Sequence, residues 1–187
     1  MSRFRFRREP SAKVLKDFHC GIREMDYFIH FNLDRFLSDH KNQLFIVRDE
    51  GNTIVGMFVL SEGYFFDTNN TFIDAPAYGK PFAVLDQQTK TTKIAKRYST
   101  IEIEYLAVAQ EFRNQNIGTE IILAITDLAN SQHTPFITVD AYVTIHYTAV
   151  PFYEKCGFTH LENQDRSYDT MRMILNISQP TDKETIV

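Results

Sequence analysis

The chain has 187 residues, 43% of them hydrophobic and 24% charged, and a formal net charge of -4. These proportions exclude a disordered or fibrous chain and suit one folded domain. The acidic balance gives no overall pull toward nucleic acid or an anionic membrane.

The amino-terminal MSRFRFRREP lacks the apolar core of a signal peptide. No run of about 18 apolar residues occurs, so no membrane span is predicted. RFRFRRE alternates with period two, Phe4 and Phe6 on one face, and predicts a first strand. HCGIREMDYFIHFNLDRFLSDH places Ile22, Met25, Phe28, Ile29, Leu33, Phe36 and Leu37 at spacings of three and four, the pattern of one amphipathic helix. QLFIVRDEGNTIVGMFVLSE reads as a hairpin turning at DEGN. Residues 63–99 hold two Pro, two Gly and no sustained period, and are expected to form a long connection with a short helix. Lys90, Lys93, Lys96 and Arg97 are read there as a solvated helix face.

TIEIEYLAVA, residues 100–109, is a predicted strand, and IGTEIILAITDLANSQ a helix with Ile117, Ile121, Ile125 and Leu128 in one stripe. PFITVDAYV is another strand. TAVPFYEKCGF is a short helix with Pro151 in its first turn and Gly157 at its end. GFTHLEN and YDTMRMILNI close the fold as a strand pair. Residues 1–177 are expected to form one domain and 178–187 a frayed tail. Cys20 and Cys156 match no metal-ligand or CxxC spacing, which predicts free thiols, a cytoplasmic protein and no metal.

Between the strand at 100–109 and the following helix lies QEFRNQNIGTE. A helix start carries free N–H groups and a positive dipole end, so this loop is fit to hold phosphate. Gly118 permits close approach, Arg113 adds charge, and Asn114 and Asn116 tolerate positive φ. One glycine is too few for GxGxxG. Thr119 stands where a P-loop needs Lys.

RNQNIG, Arg113 to Gly118, resembles the R/Q-x-x-G-x-G/A signature of the GNAT N-acetyltransferases, with Asn116 in place of its first Gly. AVPFYEKCGF, Ala149 to Phe158, resembles the A-x-x-x-Y-E-K-x-G-F segment that follows in that family. His146 stands where the family often has Asn. FHCGIREMDYFIHFNLDRFL resembles the opening of a GNAT subgroup that includes toxin-like acetyltransferases of toxin–antitoxin pairs, similar to enzymes that acetylate aminoacyl-tRNA.

The resemblance implies a mixed α/β GNAT fold: a central, mostly antiparallel twisted sheet of six to seven strands flanked by helices, its two central strands splayed in a V. It implies transfer of an acetyl group from acetyl-CoA to a primary amine on a small molecule or peptide, by direct attack and without a metal. The alternatives are a toxin-type enzyme acting on aminoacyl-tRNA and a non-catalytic acyl-CoA-binding module. A homodimer is left open.

By the same resemblance Arg113, Asn114, Gln115, Asn116, Ile117, Gly118 and Thr119 hold the pyrophosphate. Leu106, Ala107 and Val108 pair with the pantetheine arm, and Tyr153 protonates the leaving thiolate. Glu102 and Glu104 share one strand face, where two carboxylates are costly to bury. Each is a candidate base, or else a structural ion pair with Arg or Lys. Phe28, Phe31, Tyr64 and Phe65 would suit an amine with an apolar body.

Overall fold

The computed structural model describes residues 3–177 apart from 68, 70, 73, 74, 78, 86–88 and 162–168. The tail expected over 178–187 lies outside the described residues. The elements are β1 (Arg5–Glu9), α1 (Arg23–Phe31), α2 (Leu33–Leu37), β2 (Gln43–Arg48), β3 (Ile54–Asp67), β4 (Phe82–Leu85), β5 (Thr92–Val108), α3 (Ile117–Ser131), β6 (Phe136–Tyr142), α4 (Val150–Lys155), β7 (Thr159–His160) and β8 (Thr170–Asn176). Eight strands form the sheet in the order β1-β2-β3-β5-β6-β8-β7, with β4 added on β5. The β1–β2, β2–β3, β4–β5, β6–β8 and β7–β8 pairings are all antiparallel. The architecture is the mixed α/β, mostly antiparallel one that the motifs imply.

The chain divides into two compact units. One comprises Met1–Ser61 and Ile103–Ile125, the other Glu62–Glu102 and Thr126–Val187. In the first, Ile29, Leu33, Leu44, Ile46, Met57, Val59, Ala107 and Ala109 form the buried cluster. Ile22, Met25, Phe28, Phe36 and Leu37 pack against it, so all seven apolar residues of the predicted amphipathic stripe reach this core. The single helix expected there is broken in two. Asn32 takes φ -121° and ψ -20°, ending α1 and opening α2. Asn is a weak helix former, and the break falls at this position without a capping hydrogen bond from its side chain. The DEGN hairpin forms as expected. Asn52 lies at φ 70°, and the Thr53 N–H donates to the Asp49 carboxylate at 2.8 Å.

In the second unit Phe65, Tyr98, Phe136 and Ile174 form the core, with Phe72, Ala75 and Leu161 against it. The Tyr98 hydroxyl donates to the Phe72 carbonyl at 2.7 Å. Here the expected long connection is corrected. β3 runs on to Asp67, β4 follows, and β5 begins at Thr92, so Lys93, Lys96 and Arg97 lie on a strand rather than a helix. Phe65 buried between exposed Tyr64 and Phe66 is the period-two alternation of a half-buried strand. Gly63 and the Asn-rich stretch after it obscured that signal. In α4, Pro151 sits in the first turn, and Gly157 ends the helix at φ 91°.

Candidate functional site

The first unit carries the loop between β5 and α3. Asn114 and Asn116 adopt φ 61° and 62°, the left-handed region that Asn enters more readily than most side chains. Left-handed residues set between others turn successive amides toward a common concavity, a shape that binds anions. The first backbone bond into α3 runs from the Glu120 N–H to the Asn116 carbonyl at 3.1 Å. The N–H groups of Ile117, Gly118 and Thr119 precede it and have no carbonyl one turn back, so they add to the same concavity. The 15-residue length of α3 supplies a full dipole behind them.

Arg113 does more than add charge. Its guanidinium donates to the carbonyl of Cys20. The Gln110 N–H donates to the His19 carbonyl at 2.9 Å. Gly21 lies at φ 78°, and a β-carbon there would meet Gln110 Oε1 at 2.7 Å. The Asp26 carboxylate in turn accepts the N–H of Cys20 at 2.7 Å and of Gly21 at 3.1 Å. The F-x-C-G…M-D pattern is therefore the brace that fixes the loop from behind. The Cys20 thiol is buried, and its pKa is pushed up to about 11, chiefly by that burial.

Leu106, Ala107 and Val108 end β5 in this unit. Ala107 is core, as its buried side chain shows, and the other two are half-buried. The Ala107 carbonyl lies where a β-carbon on Gly56 would come within 3.1 Å. Glu104 Oε1 accepts a hydrogen bond from the Ser61 hydroxyl at 2.5 Å.

The second unit carries Glu102 and Tyr153. Both oxygens of Glu102 accept from the guanidinium of Arg172, one of them at 3.0 Å. Asp140 lies 3.4 Å from the same guanidinium and is its register partner across β6 and β8. Gly63 makes room, since a β-carbon there would stand 2.9 Å from Glu102 Oε2 and from Thr100 Oγ1. Thr100 and Thr138, both buried, share a hydrogen bond at 3.0 Å. Glu102 is thus held in an ion pair with Arg172. Arg172 was not singled out from the sequence. A lone cation in the apolar run TMRMILN was its signal, the counterpart of a carboxylate in TIEIEYLAVA.

Tyr153 is buried in α4 between Phe152 and Phe158, with ring centroids at 5.0 and 5.3 Å. Burial, first, and then the nearby Tyr147 and Cys156 hold its hydroxyl well above the usual phenol range, so it stays protonated at neutral pH. His160 pairs with Glu154 at 3.1 Å on the surface. Phe28 stacks on Tyr105 at 4.0 Å and is half-buried, Phe65 is core, and Phe31 and Tyr64 are exposed. Among the described residues, no group of three or more His, Cys, Asp or Glu could hold a metal ion, and no helix is long and apolar enough to cross a membrane.

A protein-family model described as the acetyltransferase (GNAT) family matches residues 11–158. Solved structures similar to the chain include a bacterial toxin, at 12% identity and TM-score 0.66, covering 95% of this chain and 92% of that one. AtaTR bound with AcCoA is similar at 15% identity and TM-score 0.63, covering 95% of each chain. AtaT complexed with acetyl-methionyl-tRNAfMet is similar at 14% identity and TM-score 0.60, covering 92% and 94%. At such identities these likenesses speak to the fold. No curated protein sequence matches the chain.

Proposed function

We infer from membership of the acetyltransferase (GNAT) family, to which the chain belongs, that it is an acetyl-CoA-dependent N-acetyltransferase acting on a primary amine. The observation that carries the residue assignment is the pair of left-handed asparagines ahead of α3. Arg113, Asn114, Gln115, Asn116, Ile117, Gly118 and Thr119 would hold the diphosphate of coenzyme A, mainly through main-chain N–H groups. Leu106, Ala107 and Val108 would offer backbone to the pantetheine arm. Bound acetyl-CoA supplies an acetyl thioester.

The amine must lose a proton as its nitrogen bonds to the acetyl carbon, and the departing sulfur must gain one. Glu102 has both oxygens engaged by Arg172. The base role therefore falls to Glu104, whose carboxylate has the Ser61 hydroxyl to orient it. Tyr153 gives its proton to the thiolate as the C–S bond breaks, and its raised pKa keeps that proton in place until then. Cys20 and Cys156, neither in a disulfide, fit a reducing cytoplasm.

A second reading keeps this chemistry and makes the acceptor an aminoacyl-tRNA. It is favoured by the likeness to AtaT in complex with acetyl-methionyl-tRNAfMet. Calorimetry with coenzyme A, followed by thiol release from acetyl-CoA over a panel of amines and aminoacyl-tRNA, tests both readings. Heat of binding and acceptor-dependent release are expected. Binding without release on any acceptor would leave a coenzyme A-binding module, and no heat at millimolar ligand would remove the site.

A further inference from the structure

We propose that Asp26 of α1 is a positioning residue for coenzyme A, acting through the main chain of Cys20 and Gly21 to hold the 110–119 segment in its binding shape and so coupling α1 to the cofactor loop. The proposal rests on the coenzyme A reading and adds to it a residue that lies outside the loop.

Contacts run from α1 to the loop without a gap. Asp26 Oδ1 accepts the Cys20 N–H at 2.7 Å, and Oδ2 accepts the Gly21 N–H at 3.1 Å. Both carboxylate oxygens are thus engaged, one on each of two successive amides. Cys20 passes the link on, because its carbonyl accepts from the Arg113 guanidinium. One residue back, the His19 carbonyl accepts the Gln110 N–H. Gly21 closes against Gln110, where a β-carbon would not fit. Gln110 opens the short turn that Arg113 ends, and the left-handed Asn114 follows directly. A shift of Cys20 and Gly21 therefore reaches the backbone that presents the anion-binding amides.

By charge alone, a carboxylate set behind an anion site opposes the anion. What favours the ligand is geometry. Charge-assisted bonds to N–H groups are the strong kind, and a concavity of amides binds well only when its donors are already aimed. The same unit holds a carboxylate of the same build that lacks this connection. Asp34 Oδ1 accepts the Ala12 N–H at 2.6 Å and the Ser11 hydroxyl at 3.0 Å. It ties residues 11 and 12 to α2, and its bonds reach no residue of 110–119.

The test is calorimetry of coenzyme A with the full chain, read beside thermal unfolding. Asp26→Asn keeps the size of the side chain, removes its charge and leaves one acceptor oxygen for two N–H groups. It should weaken coenzyme A about tenfold, as the loss of one such bond would. A role through charge would have the opposite sign and tighten binding. Asp34→Asn should lower the unfolding temperature and leave the affinity unchanged. In thiol release, Asp26→Asn should raise the KM for acetyl-CoA in step with the affinity and leave kcat and the KM for the amine as they are. Hydrogen exchange on the wild type needs no variant to fold: coenzyme A should slow exchange at the Cys20 and Gly21 N–H groups as well as over 114–119. Three results would each overturn the proposal while coenzyme A binding stands: Asp26→Asn binding as tightly as the wild type or more so, Asp34→Asn weakening coenzyme A equally, or no protection at Cys20 and Gly21. No heat from the wild type would instead remove the cofactor reading, and the proposal with it.

Discussion

Two polar regions are built by opposite means. The 110–119 segment of the first unit relies on main-chain groups: left-handed asparagines, the first amides of α3, and a guanidinium and a carboxylate that grip backbone at Cys20 and Gly21. The Glu102–Arg172–Asp140 row of the second unit relies on side chains brought from three strands. A main-chain site tolerates most side-chain changes and is sensitive to backbone conformation. A side-chain row behaves the other way, because removing one partner strands the others.

The sharpest test of that contrast is Arg172→Met. It leaves Glu102 part-buried and unpaired and should cost about 3 kcal/mol in denaturant unfolding. Adding Glu102→Gln should recover most of the loss, and failure to recover would show that the row is not coupled.

Tyr153→Phe comes next. It should lower kcat about a hundredfold while the KM for acetyl-CoA holds, as expected of a lost general acid. Because the wild-type hydroxyl titrates well above its usual range, kcat should not fall on an alkaline limb up to about pH 10. A fall there would return Tyr153 to an ordinary phenol.

In the first unit, Asn116→Val forces a β-branched residue into the left-handed region. The cost is about 2 kcal/mol, and calorimetry should show weaker coenzyme A binding. Asn116→Gly should bind as well as the wild type, since it supplies the same backbone. If the two variants bind alike, the loop is not a main-chain site.

The smallest effect concerns Cys20. Its folded pKa of about 11 lies above its ordinary value of 9.0, so its contribution to stability is fully present below pH 9 and is lost as pH rises toward 11. Relative to Cys20→Ala, the wild type should lose about 1 kcal/mol of unfolding free energy between pH 9 and 10.

The same contrast explains what could be read in advance. Gly, Asn and Pro report backbone conformation locally, so the DEGN hairpin, the left-handed Asn114 and Asn116, and Pro151 at the start of α4 were visible in a few residues each. Hydrophobic period identified the apolar residues that α1 and α2 send to the core, but it missed the break at Asn32, because a weak helix former does not interrupt a continuous apolar stripe. The β3–β4–β5 region was hidden because its strands have an exposed aromatic face and a basic stretch, which blur alternation. The Glu102–Arg172 pair joins residues 70 positions apart. Composition says that such a carboxylate needs a partner, and only the fold says which.

The nine residues of α1 and the five of α2 are each too short to persist alone in water. They hold their shape by packing on a cluster that includes Ala107 and Ala109. During synthesis on the ribosome, residues 23–37 therefore emerge long before the surface that stabilises them. They should remain protease-sensitive and rapidly exchanging in nascent chains until the end of β5 has cleared the exit tunnel, and then become protected together.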